Sequence, residues 1–425
     1  MSAKNGVGGR WLGLALVLFM ATGAGAGEAN YQPYIVGERA AGMGGAVVAT
    51  ADGMDACFYN PAGLGGEERD SISVNGTLYG IQDFETKDGA FPGEDFAVSS
   101  FVTIPTGLSM VKKLKPGTVA AFSVFVPSQS SAREILAYPE KQHYYNFSQD
   151  EQTLQMGPSV GHVFNEKLSI GASVMGVYQT ASEFQNLYWG DYSYSYTANY
   201  KYTVIGLVGA VGLQYRLADE WWGGLTLTTP SATVMGDGDI QMSEVLGDAA
   251  EAGADALYYE DLDADNGIPA QLRAGFGWRR AGVGSAGLDV THHLSRGYDW
   301  MDGLAEGEPV VVRQEREAVT DVQVGGELIL RKRYPVRAGF FTSFSSSPDL
   351  DPDEPMASSQ IDLYGLTASV GSIGENVVAN IGLSYVWGAG DAFGSQFDEA
   401  GDLQMIVTDS SESGLYAFAS TAFRF

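Results

Sequence analysis

The chain ends on a strand that stops at an aromatic residue. From Gly414 to Phe425 the sequence alternates with period two. Leu415, Ala417, Ala419, Thr421, Phe423 and Phe425 share one face, and Tyr416, Phe418, Ser420, Ala422 and Arg424 the other. In a soluble sheet such a terminal strand leaves a free edge that invites aggregation. In a closed barrel it meets the first strand and no edge remains. An edge strand of a β-sandwich alternates in the same way, so the rest of the chain must decide.

The other end of the chain favours export. Lys4 and Arg10 precede an apolar stretch from Trp11 to Ala21, followed by Ala24-Gly25-Ala26. Charged, apolar and cleavage regions thus come in the order of a signal peptide. The apolar stretch falls short of the about 20 residues a membrane helix needs. No cysteine sits at the cleavage site, which excludes a lipoprotein. Residues 1–26 are expected to be removed, leaving a mature chain that starts near Gly27. No second long apolar run follows, so any membrane crossing must be made by strands.

Composition fits that reading. The sequence holds 56 Gly and 22 Tyr, aromatics reach 12%, and mean hydropathy is −0.05. Lipid-facing and lumen-facing residues average to such values in a membrane barrel. The net charge of −28 becomes −30 once Lys4 and Arg10 leave with the signal, and no nucleic-acid partner fits so acidic a chain. The single Cys57 forms no internal disulfide or metal cluster and reads as a small buried residue.

Fourteen strand-like segments can be marked: 71–84, 96–110, 117–129, 151–164, 168–184, 200–217, 221–243, 268–280, 284–296, 318–331, 334–346, 360–373, 376–390 and 412–425. Bacterial barrels have an even number. In 284–296, Ala286, Leu288, Val290 and Leu294 face one way; Ser285, Asp289, Thr291, His293 and Ser295 face the other. Connections after even-numbered strands are tight, around Pro116-Gly117, Asn165-Glu166-Lys167, Ala218-Asp219-Glu220, Ala281-Gly282-Val283, Arg331-Lys332-Arg333 and Gly374-Glu375-Asn376. Those after odd-numbered strands are long: 85–95, 130–150, 185–199, 244–267, 297–317, 347–359 and 391–411. An up-and-down barrel with short periplasmic turns and long outer loops gives this alternation, and both termini then lie in the periplasm. The expected fold is an all-β transmembrane antiparallel barrel.

Charge follows the same division. Loops 244–267, 347–359 and 391–411 carry eight, four and five acidic residues and no Lys or Arg, while basic residues such as Lys112, Lys113, Lys167, Arg280 and Lys332 gather near the tight turns. The acidic loops read as solvated outer loops, with bridging of lipopolysaccharide by divalent cations as the other reading.

Residues 27–70 do not read as strands. Gly42-Met43-Gly44-Gly45-Ala46 is small and apolar and leads, through Ala51-Asp52-Gly53, into Tyr59-Asn60-Pro61-Ala62-Gly63-Leu64. Small residues allow close backbone packing, and Asn-Pro starts a turn. These motifs resemble the N-terminal hatch of the FadL/TodX family of outer-membrane transporters. The similarity is residue by residue over Gly42–Leu64 and covers the rest of the chain in organisation. It implies a fourteen-stranded barrel over 71–425, plugged by a hatch over 27–70. It also implies passive uptake of hydrophobic molecules, fatty acids or hydrocarbons, with long-chain fatty acids foremost. Asn60, Pro61 and Ala62 match the family's Asn-Pro-Ala element, and with Gly42, Gly44 and Gly45 they are the hatch and gating candidates. Barrels with a related opening also serve protein secretion and gliding. A non-transporting barrel that anchors or shuttles surface proteins is therefore the alternative.

Other expectations concern single residues. The run ending at Phe423 and Phe425 resembles the signal by which the barrel-insertion machinery recognises its clients. In the third strand Pro127 lacks an N–H and favours a bulge or gap. The resemblance implies a lateral opening there; otherwise Pro127 ends the strand near the outer rim. Strand 200–217 is apolar on both faces, with Val204, Val208 and Ala210 opposite Ile205, Leu207, Val211 and Leu213. An aqueous porin would line its lumen with polar groups, so apolar walls suit a packed plug or a hydrophobic ligand.

No catalytic set is legible. The four histidines, His143, His162, His292 and His293, lie in no G-x-S-x-G or H-E-x-x-H setting. His292 and His293 are adjacent on a strand and point to opposite faces. Asp261–Gly267 resembles the start of a calcium loop, but its Gly is one place late and Leu272 stands where Glu is needed. No cofactor, metal site or enzyme activity is expected.

Overall fold

The computed structural model describes residues 29–190, 194–246, 253–305, 308–352, 357–397 and 403–425; the expected signal segment lies outside the described residues. The wall begins with six long strands: β1 (Ser71–Phe91), β2 (Glu94–Lys115), β3 (Thr118–Tyr138), β4 (His143–Val163), β5 (Leu168–Trp189) and β6 (Tyr194–Arg216). The next four are each broken in two. They give β7 (Trp221–Thr228) and β8 (Ala232–Leu246), β9 (Gly253–Ala264) and β10 (Gln271–Arg280), β11 (Gly284–His293) and β12 (Arg296–Ala305), and β13 (Glu308–Arg316) and β14 (Val319–Leu330). β15 (Tyr334–Ser343), β16 (Gln360–Ile373), β17 (Val377–Phe397) and β18 (Leu403–Arg424) complete the circuit.

β18 returns to β1, from Ser71 opposite Arg424 to Thr86 opposite Ser410. The result is a closed, antiparallel, fourteen-stranded barrel, as the pattern of segments and turns predicts. Closure explains the amphipathic terminal strand: its edge is paired. Leu415 and Phe423 point outward, and Tyr416, Phe418 and Ala422 are buried inside. The same division holds in β6, where Val204 and Val208 are buried while Leu207 and Val211 are exposed. An outward band of Leu, Val, Ile and Phe around a closed barrel is the surface a bilayer requires.

The long outer connections are corrected by the structure. Most are strand rather than loop. β1 and β2 run on until only Pro92-Gly93 joins them, and β3 pairs with β4 as far as Tyr138 opposite His143. β5 pairs with β6 up to Trp189 opposite Tyr194, and β17 with β18 up to Phe397 opposite Leu403. The calcium-like run is likewise divided: Asp261–Ala264 lies in β9, and Asp265 is ion-paired to Arg296. The extensions hold because alternate residues pack inward as an aromatic cluster, with Phe91 4.7 Å from His143 and 5.9 Å from Trp189, and Phe96 5.4 Å from Phe147. Polar residues on the outer face hid that pattern.

Residues 29–65 run inside the barrel, and 66–70 pass along its rim to β1. They form a short 3-10 turn at Ala40–Met43, helix α1 (Gly53–Tyr59) and a second 3-10 turn at Pro61–Gly66. Asn60 caps the last of these, its side-chain oxygen accepting from Ala62 N at 3.2 Å, and Pro61 stands where no N–H is needed.

Candidate functional site: a lumen cavity beside a gap in the wall

The inner segment is seated backbone-first. Gly161, Gly171, Gly212, Gly224, Gly275, Gly287, Gly325 and Gly339 stand on β4, β5, β6, β7, β10, β11, β14 and β15, which are successive strands of the lower wall. A Cβ at any of them would meet the inner segment at under 3 Å. On Gly325 it would stand 2.1 Å from the Met43 carbonyl oxygen, and on Gly339 2.2 Å from Gly44 N. Many of these glycines are also register partners: Gly171 faces Gly161 and Gly212, and Gly325 faces Gly287 and Gly339. Composition alone accounts for the number of glycines but not for their places. A positional signal was present, since Gly171, Gly224 and Gly287 each follow the first residue of their strand by three places.

The hatch candidates take two separate places. Asn60 lies against β6, its amide donating to Val48 O (2.9 Å) and Leu213 O (3.0 Å); Ser169 donates to Ala62 O at 2.5 Å, and Gly171 packs on Pro61. Gly42 packs against Ser369, while Gly44 and Gly45 turn the chain at positive φ, with Gly44 N donating to Thr367 Oγ1 at 3.0 Å. The structure does not bring these groups together. They anchor separate stretches of the segment to different strands.

At the short-turn end the anchoring is ionic. Asp52 lies 2.7 Å from Arg279 on the wall and 3.6 Å from Arg39 within the segment. Burial pushes its carboxyl up, but Arg39 and Arg279 outweigh burial and hold it at about 2. Asp55 accepts three backbone N–H groups, from Glu38 (2.6 Å), Arg39 (3.0 Å) and Ala40 (2.8 Å).

The wall is open at one place. β2 and β3 pair from Lys115 opposite Thr118 up to Gly107 opposite Phe125, and among the described residues no pair joins them beyond. β2 stays bonded to β1 up to Glu94, and β3 to β4 up to Tyr138. Pro127 sits in a bulge of β3, where the register against β4 shifts between Phe125 and Ser128. Pro105 sits in a matching bulge of β2 against β1. Pro127 therefore lies within a long strand and does not end it. The Val126 carbonyl accepts from the Tyr34 hydroxyl of the inner segment at 3.0 Å. Neither Tyr34 nor Pro105 was singled out in the sequence.

Behind the gap is a cavity of about 210 Å³. Phe125 and Pro127 line it on the gap side, Asn30, Tyr31, Cys57 and Phe58 belong to the inner segment, and Tyr200, Tyr202 and Trp300 contribute aromatic wall. Glu151 and Glu183 line one part; Arg273, His293 and Arg316 line another. Arg273 is buried, donates to the Phe58 carbonyl at 3.0 Å and lies 5.1 Å over the Phe58 and Tyr59 rings. Among the described residues no carboxylate oxygen comes within 4.0 Å of it. Asp289 acts on it only at longer range, and a buried guanidinium with no carboxylate in contact is costly unless hydrogen bonds or a ligand compensate.

The histidines are dispersed. His143 belongs to the outer aromatic cluster, His162 contacts Thr118 Oγ1 (2.7 Å), His292 contacts Thr320 Oγ1 (2.9 Å), and His293 stacks on Tyr31 at 4.3 Å between centroids. Phe423 and Phe425 point outward at the short-turn rim, where Phe425 N donates to Asp70 O at 3.0 Å.

No family model matches the sequence, and no curated protein matches it. Solved structures match over nearly the whole chain. A FadL homologue from Pseudomonas aeruginosa is 13% identical with a TM-score of 0.66, covering 93% of this chain and 100% of its own. The toluene transporter TodX of Pseudomonas putida is 16% identical with a TM-score of 0.68, covering 93% and 100%. The toluene transporter TbuX of Ralstonia pickettii is 16% identical with a TM-score of 0.61, covering 94% and 99%. The barrel with its inner segment thus has the fold of the FadL and TodX channels.

Proposed function

We propose that this chain is a bacterial outer-membrane channel for the passive entry of hydrophobic molecules. The observation that carries the reading is the wall gap between β2 and β3, which adjoins the lumen cavity at Phe125 and Pro127. Residues 29–70 act as the hatch, with Asn60, Pro61, Ala62, Gly42, Gly44 and Gly45 fixing its seat and Tyr34 touching the gap. Cargo enters from the long-hairpin side, rests in the cavity and leaves sideways into the bilayer. No energy source is needed, because each methylene gains about 0.8 kcal/mol on leaving water. Phe423 and Phe425 serve as the insertion signal, so a chain ending at Arg424 should yield less folded barrel in the membrane.

Long-chain fatty acids are the favoured cargo. TodX and TbuX are toluene transporters by name; toluene offers a cation only the face of its ring, whereas a carboxylate offers a charge and hydrogen-bond acceptors. Arg273, which no carboxylate among the described residues touches, offers a fatty-acid carboxylate a charge-assisted bond, while the aromatic wall and the gap accept the chain. The test is labelled-oleate uptake in cells lacking their own fatty-acid channel, with labelled toluene in parallel. Oleate uptake above empty vector supports the full reading. Toluene uptake alone would refute the fatty-acid assignment, and uptake of neither by a surface-exposed barrel would refute transport of this cargo class.

A further inference from the structure

The tight turn between β14 and β15 is built from residues that its geometry disfavours. Arg333 N donates to the Leu330 carbonyl at 3.0 Å, and the two residues between them, Arg331 and Lys332, stand at φ 53° and 57°. Such a turn calls for Asn-Gly, because an ordinary side chain at positive φ crowds the backbone. Two other short turns obey that rule, with Gly117 at φ 72° and Gly282 at φ 70°. Here two long cations are kept where Asn-Gly would be relaxed, and a third, Arg333, follows them. A local rule broken on an exposed turn points to a use for the side chains.

Their surroundings indicate what that use is. Arg331, Lys332 and Arg333 are exposed, and among the described residues no carboxylate oxygen comes within 4.0 Å of them. Acids on the adjoining strands are engaged elsewhere, Glu220 by Arg280 at 3.3 Å and Glu327 by Arg337 at 2.7 Å. Arg280 opens the neighbouring turn, which lies close by: a Cβ on Gly282 would stand 3.9 Å from Lys332 Cγ. Next to these cations the outer face of the barrel is apolar. Leu328 and Leu330 on β14, Tyr334 and Val336 on β15, and Val283 between β10 and β11 are exposed. Arg333 lies 5.5 Å over the Tyr334 ring, and on the same side of the rim Trp221 stacks on Phe276 at 5.1 Å. Apolar band, aromatic edge and cations follow one another as acyl chains, interface and phosphates do in a leaflet. Short turns face the periplasm in barrels of this kind, so the leaflet met here is the inner, phospholipid one.

We propose that the Arg331-Lys332-Arg333 turn, with Arg280 beside it, binds the phosphate headgroup of an anionic phospholipid of the inner leaflet. The acyl chains lie along Leu328, Leu330, Tyr334 and Val336. The guanidinium groups offer phosphate oxygens paired N–H donors, and Lys332 adds a point charge. The site holds the barrel to its leaflet at the periplasmic rim and does not depend on the transport reading.

The test uses the folded barrel in micelles of a neutral detergent doped with phosphatidylglycerol, or with phosphatidylethanolamine as the zwitterionic control. Native mass spectrometry reads the lipid retained. Wild type should hold phosphatidylglycerol in preference to the control. Arg331→Asn combined with Lys332→Gly removes two charges and relaxes the turn. Phosphatidylglycerol retention should then fall roughly tenfold or more, while heat resistance in lipid-free detergent, read by gel migration, holds or rises. No preference in wild type, or an undiminished preference in the variant, would overturn the site. If the variant loses heat resistance, Arg333→Gln decides: reduced preference supports the site, and unchanged preference refutes it. If inorganic phosphate at matched ionic strength abolishes the preference, the turn is an anion site alone and the lipid assignment fails.

Discussion

Pro105 and Pro127 would face each other two rungs beyond the Gly107–Phe125 pair, and neither has an N–H to give. Each also sits in a bulge against its other neighbour, so both strands bend away where pairing ends. Replacing both by Val returns two donors to the seam. At about 1 kcal/mol for each restored bond, the closed form gains roughly tenfold or more in population. Oleate uptake should fall by a similar factor while the amount of surface-exposed barrel is unchanged. Undiminished uptake would show that the gap is not the exit.

Hatch seating depends on backbone contact at the wall glycines. Gly325→Ala puts a methyl group 2.1 Å from the Met43 carbonyl oxygen, so the segment must shift. Overpacking of this kind costs about 1–3 kcal/mol. Hydrogen exchange at Met43–Val48 should quicken markedly, with the exchange of β17 and β18 unaltered. Equal protection of Met43–Val48 in both proteins would mean that the contact is soft.

Arg273 should separate acids from hydrocarbons. Arg273→Leu removes the cation and its bond to the Phe58 carbonyl, while leaving apolar bulk over the Phe58 and Tyr59 rings. Losing a charged hydrogen bond to the ligand costs about 1.5–3 kcal/mol, so oleate affinity should drop by roughly 10- to 100-fold. Binding of a chain-length-matched alkane, read by tryptophan fluorescence or calorimetry, should hold or improve. Parallel losses for both ligands would assign Arg273 to hatch packing alone.

The ionic tie between Asp52 and Arg279 gives a pH dependence with a definite sign. The folded carboxyl titrates at about 2 against an ordinary 3.8. A depressed carboxylate contributes stability above its unfolded value and loses it as pH falls through the folded one. Hatch protection against pepsin should therefore persist down to pH ~4 and decline between pH ~4 and ~2. Arg279→Ala should move that decline toward higher pH. An unshifted profile would place the anchoring elsewhere.

How far the sequence reached is clear from particular residues. Leu415 to Phe425 showed a barrel strand because side-chain direction alternates locally, and no distant partner is needed to read it. Pro116-Gly117 and Arg331-Lys332-Arg333 showed tight turns for the same reason, and with the long connections they set strand number and order. Gly42–Leu64 stood out as a non-strand segment of small residues. The aromatic extensions, with Phe91, His143 and Trp189 packed together, read as loops because their outer face is polar and the inner pattern shows only once the hairpins meet.

The tertiary structure decided what depends on register and closure. Pro105 and Pro127 are 22 residues apart and became a gap only when β2 and β3 were aligned. Gly325 and Met43 met because the barrel closed around its own N-terminal segment, and Arg273 reached the Phe58 carbonyl by the same closure. A period of two tells which way a side chain points. Only the assembled wall tells what stands opposite it, because those contacts join residues far beyond the reach of a local pattern, some of them hundreds of positions apart.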